Sequence, residues 1–383
     1  MRTIVFHPGT GTVETMVVKV GSRIVTSHDS LARAPRIRTL VEDIVTLHRA
    51  GIRVLLVSSG AIAHGVRALR LGKRPAAIPL QQACASVGQI RLMHMYETLF
   101  ARRKVSIGQV LLTWDDLRDK KRYLNLRNTL FKLLDCGAVP ILNENDSVGI
   151  EEIRFGDNDT LGAQVAMLVG ADLFVNLTDT PGLFETNPRL QKNARHIPRV
   201  ERITAATHES AHVKGSEEGV GGMVTKLKAA EMVCKAGMCA IIGDGYHDRL
   251  LNVLKNDTSG TLFVPSAGKM SSKHRWLAFS GRAHGAVRVD DGARRAVVER
   301  GKSLLPAGIK SVEGTFGVGD MVDIQDSRGT PFARGIVNYA SGDVETIRGC
   351  RSGEIAGRLG QKTYDEVIHR DNLVLLKDAA AAK

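Results

Sequence analysis

The sequence predicts an α/β protein: an open, mostly parallel sheet sandwiched by helices, followed by a second, small mostly-β domain. Three observations point there. Short, continuously apolar segments, of the kind buried in parallel sheets, alternate with roughly 10- to 15-residue stretches of helical periodicity. Polar, glycine-bearing turns recur where the apolar segments end, the side on which open α/β sheets place ligands. Beyond about Lys269 the texture changes to short alternating segments broken by glycines.

Taken in order, residues 1–15 contain Pro8 and two glycines without periodicity and read as an irregular extension, with Met16 a candidate initiator. Met16–Gly21 is a first strand and turn. Apolar residues then step by three and four from Ile37 to Leu47, as on one helix face, until Gly51 stops the helix. Val54–Val57 is a buried-type strand, followed at once by Ser58-Ser59-Gly60. A helix over Ala83–Phe100 leads to the strand Ile107–Leu112, and one over Tyr123–Asp135 leads to Val139–Leu142 and the polar turn Asn143–Asp146. A helix from about Asp159 to Val169, the strand Leu173–Leu177, a helix over Met223–Lys235 and the strand Cys239–Ile242 complete the large domain, 16–265. The small-residue, basic stretch within 266–283 reads as a linker. The small domain, 284–376, opens on the strand Gly285–Asp290 and a helix over Asp291–Arg300. Short strands at Ser311-Val, Met321–Ile324, Phe332–Val337 and Val367–His369 follow, with a tail at 377–383.

Composition narrows the function. The 383 residues are 43% apolar and 24% charged, the balance of a folded soluble chain rather than a disordered or collagenous one. The net charge is +13, and its excess lies in the first 280 residues, with 37 basic against 26 acidic; the remainder has 16 against 14. That bias suits an anionic substrate as well as nucleic acid, but aromatics are only 4%, too few for base-stacking platforms. Five scattered cysteines form no C-x-x-C pair, which indicates a reducing compartment and neither a disulfide scaffold nor a zinc site. No apolar run approaches membrane-spanning length and the start lacks a leader pattern, so a cytoplasmic location with no membrane association is expected.

Four groups could carry chemistry. Lys19-Val-Gly-Ser22 sets a flexible ammonium beside a glycine turn that can meet a phosphate; an ordinary strand-end turn is the alternative. Ser58-Ser59-Gly60-Ala61 lets a ligand approach backbone at a helix start, although a capping serine explains it too. Asn143-Glu-Asn-Asp146 and Asp157-Asn158-Asp159 are two acid-amide strings at ligand-side turns, costly to bury without partners. Asp146 could accept a substrate ammonium, Asn158 could bind its oxygens, and Asp159 could orient cations. Gly219-Val220-Gly221-Gly222-Met223-Val224-Thr225-Lys226 offers backbone N–H groups and a second lysine to a polyphosphate, or is only a flexible loop. Walker A, G-x-G-x-x-G and protein-kinase patterns are all absent. Together the groups describe phosphoryl transfer to a small zwitterion.

These strings, with Val18–Ser22, Ser59–Ala63, Val87-Gly-Gln89, Gly108–Thr113, Gly156–Asp159, Gly221–Lys226 and Gly301–Pro306, resemble those of the glutamate 5-kinases. Those enzymes belong to the amino-acid kinase family and carry a C-terminal PUA domain; the likeness runs from about Met16 to Leu376. It implies the amino-acid kinase fold and ATP-dependent phosphorylation of the L-glutamate side chain, the first step of proline biosynthesis. It further implies a magnesium requirement, feedback inhibition by proline, and a homo-oligomeric state, dimer or tetramer. By the same resemblance Lys19 and Lys226 neutralise the transferring phosphate and Asp159 holds them. Ser59, Asp146 and Asn158 bind glutamate, whereas Lys19, Thr178, Asp179 and the run Val220–Lys226 bind the nucleotide; no protein metal ligand is implied. The chain departs from the family at Glu217, Val220, Arg23 and Gly162, and Val220 and Glu217 put the strength of ATP binding in question. Two alternatives remain at this stage: RNA binding through the PUA-like domain, and another amino-acid kinase acting on aspartate, acetylglutamate, carbamate or UMP.

Overall fold

The computed structural model describes residues 6, 10–26, 36–149, 158–186, 191, 193–211, 222–255, 258–265, 270–279 and 283–376. The chain divides into two compact units, one spanning Met1–Leu117 and Lys121–Met270, the other Ser271–Lys383 with Arg118–Lys120.

The first unit is built on β1 (Thr15–Val20), β2 (Arg53–Val57), β3 (Ile107–Leu112), β4 (Val139–Glu144), β5 (Leu173–Thr178), β6 (Leu183–Phe184), β7 (His196–Ile197), β8 (Arg199–Val200), β9 (Cys239–Asp244) and β10 (Gly260–Phe263). Eight of these form one sheet in the order β3-β4-β2-β1-β5-β9-β10-β8, and β6 pairs with β7 apart from it. From β3 to β9 every pairing is parallel; β10 runs antiparallel to β9. The four strands β1, β4, β5 and β9 are buried along their whole length, because helices cover the sheet and leave no wet face for alternation. Val18, Leu56, Ile141, Val175 and Ile241 line one core with Val41, Ile44 and Leu47 of the helix Arg36–Arg49. This is the α/β architecture that the alternating pattern predicts.

Three expectations are corrected at the edges. The first strand begins at Thr15 rather than Met16, since the Glu14 and Thr15 amides both donate to Asp172 Oδ2 at 2.9 Å; Val13 and Thr10 before it are buried. The helix expected from Ala83 starts at Ile78, with Pro79 in its first turn, where a missing N–H costs nothing. The stretch 266–283 is not a linker throughout: Ser272–Phe279 is a helix packed on the last two strands of the second unit, with Leu277 fully buried. The Ser271 hydroxyl accepts from His274 N at its start, the cap that the serine pair encodes.

The second unit is a five-stranded sheet of β11 (Gly285–Val289), β12 (Ile309–Gly314), β13 (Met321–Gln325), β14 (Pro331–Ile336) and β15 (Leu373–Leu375), ordered β12-β11-β13-β14-β15. Its own core gathers Val287, Ile324, Phe332, Val344 and Ile355. The helix Asp291–Arg300 lies where expected, capped by Asp290 and ended by Gly301 in the left-handed region. Two further helices, Ser341–Ile347 and Ile355–Leu359, make the unit less purely β than its glycine-rich sequence suggests. The strand expected at Val367–His369 is a single bridge between Leu304 and Ile368, because His369 caps the turn Arg370–Asn372 and ends it.

Candidate active site

The strand order reverses at β1, which lies between β2 and β5, and such a switch point, at the strands' C-terminal ends, is where open α/β sheets bind ligands. Lys19 sits at the end of β1, directly beside Val57 of β2 and Asn176 of β5. Helix starts bring the other groups to the same place. Asn158–Val169 begins with Asn158 and Asp159, and Met223–Lys235 opens at Gly222, so that Met223, Val224, Thr225 and Lys226 form its first turn.

Asp159 joins the two lysines. Its Oδ1 accepts from Lys19 Nζ at 2.5 Å and Asn176 Nδ2 at 3.0 Å. Its Oδ2 accepts from Lys226 Nζ at 3.1 Å and from the Thr225 hydroxyl at 2.7 Å. The carboxylate is 2% exposed, and Lys19 and Lys226 are also buried. Burial alone would push its carboxyl up; the charges of Lys19 and Lys226 and the hydrogen bonds from Lys19 and Thr225 overrule that and hold it well below the ordinary carboxylate range. The helix start adds a favourable dipole. Among the described residues, two cations thus meet on one anion in a water-poor place, an arrangement suited to a phosphoryl group.

The neighbouring residue anchors a second, neutral cluster. Asn158 Nδ2 donates to Ser59 Oγ at 2.9 Å and to the Ser58 carbonyl at 3.3 Å, with Asn143 Oδ1 at 3.5 Å. A carbonyl can only accept, which fixes the amide's orientation. Asn158 Oδ1 is buried and has no hydrogen-bond partner among the described residues. In this orientation the atom of Asn158 left over is an acceptor. Asp146, buried in the turn after β4, adds a carboxylate on the same side of the sheet. Gly60 lets the chain turn from β2 into the helix Ala61–Ala68 with φ 102°, a conformation that favours glycine.

Thr178 and Asp179 follow at the end of β5. The Thr178 hydroxyl donates to Asp179 Oδ1 at 3.2 Å, and Arg23 Nη1 reaches Asp179 Oδ2 at 2.6 Å. The arginine that departs from the family pattern thus pairs with a residue expected to bind nucleotide, and it lowers that carboxyl against the opposing effect of burial. Gly162 has a packing reason as well: an added Cβ would lie 2.9 Å from the Phe174 ring and 3.1 Å from Lys19 Cβ. The ring occupies the space a serine would need. Val220 and Gly221, like Asp157, Glu217 and Glu218, lie outside the described residues.

Sequence reasoning missed Asn176 and gave Thr225 only a nucleotide role. Asn176 is fully buried inside the apolar string Leu173-Phe-Val-Asn-Leu177, and a lone amide there is costly unless it bonds something buried. That cost was the available signal.

Comparison with known proteins gives the chain its relatives. The family model "Amino acid kinase family" matches residues 14–244, and "PUA domain" matches 285–359. The glutamate 5-kinase of Syntrophus aciditrophicus (strain SB) is 44% identical over 366 residues, 95% of each chain. That of Syntrophotalea carbinolica is 46% identical over 366 residues, 95% of this chain and 98% of its own. Among solved structures, UMP kinase from Ureaplasma parvum aligns with 66% of this chain and 99% of its own, at 13% identity and a TM-score of 0.45. With its first unit matched to the kinase model, its second to the PUA model and 95% of its length to such relatives, the chain belongs to the amino acid kinase family, in its glutamate 5-kinase group.

Proposed function

We propose that the protein transfers the γ-phosphoryl group of ATP to the side-chain carboxylate of L-glutamate, giving L-glutamyl 5-phosphate and ADP, the first step of proline biosynthesis. The observation that carries this reading is the junction of Asn158 and Asp159: adjacent residues join the amide cluster to the two-lysine cluster. The acceptor carboxylate is already ionised at neutral pH, so no general base is needed. Its oxygen forms the new bond to γ-phosphorus while the bond to the β,γ-bridging oxygen breaks and ADP leaves. Lys19 and Lys226 offset charge on the phosphoryl oxygens during transfer, and Asp159 sets their positions. No covalent enzyme intermediate is required.

In this reading Ser59, Asp146 and Asn158 hold glutamate, with Asn158 Oδ1 and the Asp146 carboxylate facing its ammonium. Lys19, Thr178, Asp179 and the run Val220 to Lys226 hold the nucleotide. Asp159 is committed to four donors, and the described residues include no group of three potential metal ligands. In this reading magnesium enters as part of the ATP complex, carried on the phosphates. The described residues contain no helix long and apolar enough to cross a membrane. Action in the cytoplasm belongs to the same reading. Proline as feedback inhibitor, assembly into a dimer or tetramer, and a division into a kinase domain and a PUA-like domain belong to the same reading; nucleic acid does not.

Trapping the acyl phosphate with hydroxylamine across L-glutamate, L-aspartate and N-acetyl-L-glutamate tests it. Glutamate should be turned over well ahead of the other two. Preferred turnover of either of the others removes the reading.

A further inference from the structure

On the helix Ile78–Ala101, Gln89 and Tyr96 are separated by about two turns and so lie on one face. Both end at the amide cluster. Gln89 Oε1 accepts from Asn143 Nδ2 at 2.9 Å, and Asn143 Oδ1 faces Asn158. The Tyr96 hydroxyl lies 2.9 Å from Ser58 Oγ, and Tyr96 and Ser58 are both fully buried.

The direction of that second bond follows from its neighbours. Ser58 Oγ donates to the Ser59 carbonyl at 3.3 Å, which leaves the phenol to donate to Ser58. Burial pushes the Tyr96 phenol well above its ordinary range, so it keeps its proton at any physiological pH. A phenylalanine would fill the same apolar space without a hydroxyl to desolvate. The oxygen is therefore best understood through what it holds. Ser58 carries the carbonyl that accepts from Asn158 Nδ2, and the next residue carries the hydroxyl that accepts from the same amide. Releasing Ser58 loosens both acceptors that orient Asn158, and with them the unpartnered Asn158 Oδ1.

We infer that Tyr96, acting through Ser58, is a positioning residue for the glutamate-binding amides, with Gln89 holding Asn143 as its counterpart on the same helix; this rests on the glutamate reading above. Neither side chain touches the lysine cluster through these bonds. The effect should therefore fall on the acceptor and not on the nucleotide.

Steady-state kinetics of Tyr96→Phe, which keeps the ring and removes only the hydroxyl, tests the inference. The KM for glutamate should rise about tenfold, the value of one buried hydrogen bond, while the KM for ATP stays within about twofold. Ser58→Ala approaches the same bond from its other end and decides the matter should the phenylalanine variant fold poorly. The double variant should be no worse than the worse single, because the two changes remove one interaction. A merely structural tyrosine would lower Tm and leave both KM values alone. Unchanged glutamate KM in folded single variants, or additive penalties in the double, overturns the inference while the glutamate reading stands. A wild-type enzyme that phosphorylates no glutamate removes both.

Discussion

Asp159 accepts hydrogen bonds from Lys19, Asn176, Thr225 and Lys226, and a carboxylate so occupied has no lone pair left to serve as a base. What remains is to fix the two ammonium groups and keep them from repelling each other. Asp159→Asn should lower kcat on the order of 100-fold while circular dichroism shows an intact fold. Near-normal kcat would reduce the residue to a helix cap. The pH sign follows from the depressed folded pKa. The carboxylate's contribution to stability is full above the ordinary aspartate range near ~4 and is lost as pH falls through the folded value below it. Loss of activity at pH 5 to 6 in the wild type would then come from other groups. At this scale the sequence was readable where residue types were unusual for their place. Lys19 beside a glycine turn and Asp159 in an acid-amide string stood out, whereas Asn176 was hidden by the apolar residues around it.

Elements position these groups by close packing. The helices Ala61–Ala68 and Ile78–Ala101 cross backbone to backbone at two glycines: a Cβ on Gly65 would lie 1.8 Å from the Cys84 carbonyl oxygen, and one on Gly88 would lie 1.8 Å from that of Ala61. Gly88 adjoins Gln89, and Ala61 follows the Ser58-Ser59-Gly60 turn, so this crossing sets the amide cluster's geometry. Gly88→Ala must separate the helices, since backbone rather than a flexible side-chain end blocks the new methyl. It should cost roughly 3 kcal/mol, read as a lower Tm, and raise the glutamate KM. Unchanged Tm and KM would show that the crossing yields without effect. The periodicity revealed each large helix but not this contact, because a glycine inside a helix reads the same whether its face is covered or bare. The helix Ser272–Phe279 was missed for a related reason. Its lysine, histidine and arginine resemble linker composition, and only Trp276 and Leu277, on successive positions, hint at burial.

Across the whole molecule, the proposed chemistry joins residues distant in sequence. Lys19 and Lys226 are 207 positions apart, and one carboxylate lies between them in space as it does in sequence. The parallel sheet permits this, since every strand from β3 to β9 ends on the same side and delivers its following turn there. Alternation in the sequence foretold that sheet, but not its strand order, because pairing partners are chosen by packing that no local pattern encodes. The two-residue strand β8 and the antiparallel β10 left no periodic signal at all. The positive excess in the first 280 residues is consistent with a crevice that receives two anionic substrates. The central claim is that the two lysines converge on a transferring phosphoryl group, and kcat of Lys226→Ala at saturating ATP and glutamate tests it most directly. The ammonium acts on charge that shifts during transfer, so kcat should fall roughly 100- to 1,000-fold in a variant whose fold is intact by circular dichroism, with little recovery in Lys226→Arg. A folded Lys226→Ala enzyme within about threefold of the wild-type kcat would contradict it.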